Sequence, residues 1–119
     1  MSRKSKKLYH FGSRATNVKH SQMRMECSKL NSHLFHNLHV INSPSFNCGY
    51  NVENNKHFLL DCPLYIIQRQ KMFQQLQNFI DINELNIEIL LYGSNDYDYI
   101  TNRNIFEIVH DFINGCDRL

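Results

Sequence analysis

The chain has 119 residues, 42% of them hydrophobic and 12% aromatic, with four cysteines and a net charge of +2. That length suits one small domain with a single core and is too short for two independent ones. The composition excludes a disordered chain, and the absence of any run near eighteen apolar residues excludes a membrane-spanning helix.

The modest net charge hides a split. Residues 1–29 carry eight basic side chains and one acidic one, whereas residues 30–119 carry five basic and ten acidic. The opening "MSRKSKK" has no apolar core of a signal peptide and no small-residue cleavage site, so an intracellular protein, nuclear or cytoplasmic, is expected, with no membrane partner. A cationic leading segment on a mildly acidic body suits polyanion binding, because each phosphate neutralised releases condensed counterions. The candidate contacts are Arg3, Lys4, Lys6, Lys7, Arg14, Lys19 and Arg24. A solvated tail or an import signal explains the same run equally well.

The expected fold class is mainly α: four to five short helices around one small core, with an irregular Cys/His knuckle or short hairpin inserted. Residues 1–8 read as a basic flexible tail, and 9–119 as a single small helical domain with the knuckle at 43–63. Taken in order, Ser13 is a candidate N-cap for a short first helix, along which Ala15, Val18, Met23 and Met25 give a weak apolar stripe. Leu30, Leu34 and Leu38, with Phe35 beside them, predict a second helix stopped by Asn42, Ser43 and Pro44.

From Phe46 to Asp61 the chain is rich in Asn and Gly, and reads as a knuckle or hairpin. Pro63 then suits the first position of a helix whose apolar residues Tyr65, Ile66, Met72, Phe73, Leu76, Phe79 and Ile80 recur at three- and four-residue steps. "DINELNIEILLYGS" alternates like a strand at Leu85, Ile87 and Ile89. Asn83 followed by Glu84, with Gly93 beyond, favours a short helix instead. Ile105, Ile108, Val109, Phe112 and Ile113 predict a last helix from about Thr101 to Asn114, closed by Gly115.

Three constellations carry chemistry. Cys48, His57 and Cys62, spaced C-x8-H-x4-C, match the H-x4-C end of a zinc knuckle and make three candidate metal ligands. Structural zinc needs a closed tetrahedral shell, and the residue two before Cys48 is Phe46, which cannot ligate. Zinc therefore requires a fourth ligand from elsewhere, with Asp61, His39 or Cys27 as candidates. The alternative, which we prefer, leaves Cys48 and Cys62 as small buried hydrophobes and His57 hydrogen-bonded to the turn.

A Cys–His nucleophile pair carries little weight where seven histidines make coincidence easy. Asp96 and Asp98 of "SNDYDY" read as a solvated turn rather than a paired-carboxylate metal site. No glycine is followed by lysine, so no phosphate-cradling loop of the G-x-x-x-x-G-K type exists.

The ordered motifs "YHFGSR", "HSQMRMECSKLNSHLF", "SPSFNCG", "HFLLDCPLY", "QRQKMF", "LLYGS" and "NIFEIVHDFI" span Tyr9 to Leu119. In that order they resemble the C-terminal tail of animal non-LTR retrotransposon reverse transcriptases, the segment after the polymerase core. In that family the knuckle reads S-P-x-C-x-C-G, then H-F and C-P. The resemblance thus implies that Cys48, His57 and Cys62 correspond to three of four zinc ligands and that Phe46 replaces the fourth.

It implies a nucleic-acid-binding appendage for RNA or single-stranded DNA, with the catalytic core absent and no enzymatic activity of its own. The chain looks like a separated fragment beginning at its own Met1. Tyr9, His10 and Phe11, interleaved with the basic residues, would add base stacking. Two other expectations stand beside it: a degenerate remnant that no longer binds, and a helical protein interaction module using the last helix.

Overall fold

A computed structural model describes residues 14–35 and 53–119. It is mainly helical, and no strand occurs among the described residues. The expected basic tail 1–8, the Ser13 cap and the first part of the 43–63 segment, Phe46 and Cys48 included, lie outside those residues, as does Leu38.

Among the described residues, four α-helices longer than a single turn build the fold. Helix α1 spans Arg14–Arg24, α2 Ile66–Leu76, α3 Ile87–Tyr92 and α4 Tyr99–Cys116. Between α1 and α2 lie a single helical turn at Asn31–His33, a π-helical turn at His57–Asp61 and a 3-10 turn at Pro63–Tyr65. The expected knuckle or hairpin is therefore corrected over its described half, where the backbone is helical. Asn54 starts this turn by accepting the His57 N–H on its side chain at 2.9 Å and the Phe58 N–H on its carbonyl at 3.0 Å. The Cys62 N–H closes the five-residue ring to the His57 carbonyl at 2.7 Å.

Helix α4 has the apolar face that its sequence advertises. Ile105, Ile108, Val109, Phe112 and Ile113 are all buried, and Phe106 joins them. Met72, Leu76 and Ile80 pack from the α2 side, Ile89, Leu90 and Leu91 from α3, and Phe58 and Leu59 from the π-helical turn. Phe58 stands 5.3 Å from Phe112 and 5.4 Å from Tyr65, ring centre to ring centre, distances at which aromatic edges and faces attract. The predicted α2 stripe is correct at Met72, Leu76 and Ile80, whereas Ile66 and Phe79 remain exposed.

Helix boundaries follow side chains that satisfy the first free N–H groups. Asp98 accepts from the Thr101 N–H at 2.8 Å, so α4 begins two residues before the expected Thr101 and runs past Gly115 to Cys116. Asn86, rather than Asn83, caps α3 by accepting from the Ile89 N–H at 3.0 Å, and Asp81 caps a 3-10 turn at Ile82–Glu84 by accepting from the Asn83 N–H at 2.9 Å. Gly93 ends α3 as expected. Its φ of +72° suits glycine, and a Cβ there would lie 2.7 Å from Asn102 Oδ1.

Helix α1 keeps only Met23 of its predicted stripe. Its inward face is Thr16, His20 and Met23, spaced four and three residues apart. Ala15, Val18 and Met25 point outward, with Val18 44% and Met25 64% exposed. Leaving α1, the Cys27 N–H bonds the Gln22 carbonyl and the Glu26 N–H the Met23 carbonyl. This is a Schellman end with Glu26, at φ +56°, in the left-handed position that usually takes glycine.

Candidate nucleic-acid interface and the Cys/His segment

The basic residues of α1 divide into two groups. Arg14 and Lys19 lie on the outer side of the helix with Ala15, Val18 and Gln22. Together with Lys29 and Leu119 they line an open cavity of about 570 Å³. Its mouth combines three cations with aliphatic walls, which is the chemistry needed to hold a phosphate beside an apolar surface. The sequence does not bring Lys29 and Leu119 together as site residues. No local pattern links positions ninety residues apart.

Arg24 belongs to the second group and turns inward. Its Nη1 donates to the Leu91 carbonyl at 3.2 Å, and its guanidinium carbon lies 5.8 Å from the Phe106 ring centre. It also lines a second cavity of about 400 Å³ with Glu26, His33, Asn55, Lys56 and Glu88. That mixture of acids and bases has no preference for a polyanion. Arg24 is thus a tie between α1 and α3, in contrast to its expected place on a binding face. Arg3, Lys4, Lys6 and Lys7 lie outside the described residues.

Of the Cys/His constellation, His57 and Cys62 are described, and both are buried. Burial pushes the His57 imidazole below its usual range, an effect that Glu53 and Asp61 oppose and Arg69 assists. Cys48 lies outside the described residues. Of the candidate fourth ligands, Cys27 and Asp61 are exposed and His39 is not described.

Among the described residues no three His, Cys, Asp or Glu side chains gather into a group able to hold an ion.

A different cation organises this segment. Arg69, buried in α2, donates from Nε to the Leu59 carbonyl at 3.0 Å, from Nη1 to the Cys62 carbonyl at 2.6 Å and from Nη2 to the Phe58 carbonyl at 2.9 Å. The π-helical turn and the Cys62 corner leave these carbonyls inside the fold, where an unmet acceptor costs about 1–3 kcal/mol. One guanidinium meets all three. The sequence does not mark Arg69, because an arginine on a helix is normally solvated.

Nearby, Glu53 is fully buried and takes the Asn31 N–H at 2.7 Å and Arg118 Nε at 2.8 Å, with a further contact from Arg118 Nη2 to its other oxygen. The Ser32 N–H also bonds the Glu53 carbonyl at 2.8 Å. Residues 29–32, Glu53 and the C-terminal Arg118 are thereby clasped together.

Two further groups have nucleophile chemistry but not its setting. Ser28 Oγ lies 2.7 Å from His33 Nδ1, and the same nitrogen accepts the Ser28 backbone N–H. Both side chains are buried, and Oγ also accepts from the Leu30 N–H, so the pair shapes the turn. The Cys116 thiol is pushed up to about 12, chiefly by burial, with Cys62 adding and Arg69 opposing. It is a neutral thiol near pH 7. No described helix is long and apolar enough to cross a membrane. No known family, curated protein or solved structure matches this chain.

Proposed function

We propose that the chain is a nucleic-acid-binding module without catalytic activity, of the kind its motifs resemble in the C-terminal tails of non-LTR retrotransposon reverse transcriptases. Arg14, Lys19 and Lys29 contact the phosphates of RNA or single-stranded DNA, and Ala15, Val18 and Leu119 meet the sugar or base faces. Arg3, Lys4, Lys6 and Lys7 supply further cations for the same polyanion. The observation that carries this reading is the gathering of three cations around one open, apolar-walled cavity, on the part of the chain that holds eight of the thirteen basic residues. No metal enters the proposal.

The test is binding of a fluorescent single-stranded RNA at low and at physiological salt. Affinity should fall steeply as salt rises, and Lys19→Glu with Lys29→Glu should weaken it at least tenfold and flatten the salt slope. Absence of binding at low salt, or binding indifferent to salt, overturns the proposal.

A second reading, a helical interaction module, has one observation in its favour: Leu64, Ile66 and Ile67 stand exposed together at the start of α2, Ile67 by 75%. On the last helix Ile108 and its apolar neighbours are in the core, so this reading rests on the start of α2. Self-association lost in Ile67→Asp would support this second reading over the first.

A further inference from the structure

The polar face of α1 contains a feature that binding to nucleic acid does not use. His20 and His110, ninety residues apart, meet edge to face inside the fold. Their ring centres are 5.0 Å apart and His20 Nδ1 is 3.1 Å from His110 Nε2. On its other side His20 Nε2 lies 2.9 Å from the Leu90 carbonyl. Both rings are buried, and Phe106 packs against His20 with ring centres 5.0 Å apart.

These contacts dictate where the protons are. A carbonyl only accepts, so His20 Nε2 carries hydrogen and donates to Leu90. His20 Nδ1 is then the acceptor in a neutral ring, and His110 Nε2 must donate to it. One hydrogen-bonded chain, His110 to His20 to Leu90, thus ties α4 and α3 to α1.

A further proton on His20 has only Nδ1 to occupy, and there it would confront the His110 N–H. A further proton on His110 would place a cation beside Arg24. The charged groups that bear on the couple are Arg24 from α1 and Asp111 from α4. From α3 the couple meets the Leu90 carbonyl, and the one charged side chain of α3, Glu88, is exposed. Arg103 and Glu107 of α4 pair with each other at 3.4 Å on the surface. Asp111 is itself exposed and can offset only part of a buried charge.

We propose that the His20–His110 couple is an acid-sensitive latch: proton uptake puts positive charge into a solvent-excluded contact beside Arg24 and releases α1 from α3 and α4, while the apolar core of α2, α3 and α4 persists. Local release follows from the composition of the α1 face. Of Thr16, His20 and Met23 only the last is apolar, so this helix has the least apolar contact with the core and depends most on its polar ties.

Burial pushes the His20 imidazole down to about 3 and that of His110 to about 4, with Arg24 lowering both and Asp111 partly opposing at His110. The released rings recover the ordinary value near 6.5, so the attachment has its full strength above that pH and weakens progressively as the pH falls below it. Between pH 7.5 and 5.5 each imidazole shifts the opening equilibrium about tenfold and the two together about a hundredfold.

The experiment follows amide hydrogen exchange of the full chain at pH 7.5 and 5.5, corrected for the intrinsic exchange rate at each pH. Protection of the amides of residues 18–24 should fall about a hundredfold, with a much smaller change in α4. In the double variant His20→Gln, His110→Gln, whose amides can donate and accept in the same order without titrating, protection of α1 should be the same at both pH values. Equal loss in the wild type and the variant, or loss spread evenly over α1 and α4, overturns the latch. Should the double variant fail to fold, nitrogen-15 spectra of the wild-type imidazoles decide. Both rings should show the neutral Nε2–H form down to pH 5.5, and titration of His20 near 6.5 in the folded protein overturns the proposal.

Discussion

Helices α1 and α4 lie against each other, yet their contact surfaces have different chemistry. Helix α4 contributes Ile105, Phe106, Ile108, Val109, Phe112 and Ile113 to the core, a stripe any helical wheel displays. Helix α1 contributes Thr16, His20 and Met23 and is held by directed bonds: Thr16 to Asn114 at 3.0 Å, His20 to His110 and Leu90, and Arg24 to Leu91.

Apolar burial is roughly proportional to area and tolerates small shifts, whereas buried polar groups are stable only while each bond is made. The two sides of the molecule should therefore respond to different perturbations, with α4 sensitive to lost volume and α1 to lost partners or added protons. The segment from Asn54 to Tyr65 combines both modes, with Phe58 and Leu59 in the core and their carbonyls on Arg69.

The largest expected effect tests the apolar side. Phe106→Ala empties a fully buried site between α4 and α1 and should cost about 3–5 kcal/mol in urea unfolding. A cost under about 1 kcal/mol would mean that the core reaches this site less tightly than its burial implies.

Next comes the strongest polar tie. Arg69→Met keeps the aliphatic stem but strands the Phe58, Leu59 and Cys62 carbonyls, and should lower stability by about 3 kcal/mol. Little or no loss would contradict the division, since it would show apolar packing alone holding the π-helical turn.

A smaller effect is expected at the junction between α3 and α4. Gly93→Ala combines an unfavourable φ with a clash against Asn102, whose side chain also bonds Ser94 at 3.0 Å and 2.9 Å. About 1–2 kcal/mol should be lost, seen as a lower thermal midpoint.

Thr16→Val preserves shape and removes one bond to Asn114, an exposed residue that water can serve instead. At most about 1 kcal/mol should go, with the loss in α1 exchange protection exceeding that in α4. An equal loss in both helices would merge two regions that we distinguish.

Legibility in the sequence followed the same division. The α4 stripe, the stop at Gly93 and the inward α2 positions Met72, Leu76 and Ile80 were visible because apolar periodicity is a local property. The cap of α3 was misplaced from Asn86 to Asn83, three residues apart in a stretch where both asparagines precede an acidic or apolar helix former. Of the expected α1 stripe Ala15, Val18, Met23 and Met25, only Met23 points inward, because an apolar side chain on a mostly polar helix need not face the core. His20 and Thr16 were passed over because their partners, His110 and Asn114, lie more than eighty residues away. In the candidate interface Arg14 and Lys19 were legible as a charge run, while the inward turn of Arg24 and the arrival of Lys29 and Leu119 were not.

What the sequence by itself determined is the helical class, the apolar face of α4 and the concentration of positive charge in the first 29 residues. Composition and a 3.6-residue repeat suffice for each of these, since all depend on near neighbours along the chain. Tertiary structure alone decided which cations stay on the surface, which histidines lose their solvent, and that an arginine occupies the heart of the His57–Cys62 segment. The physical reason is that a polar side chain is buried only where distant backbone supplies its partner, and no local pattern records where that partner is.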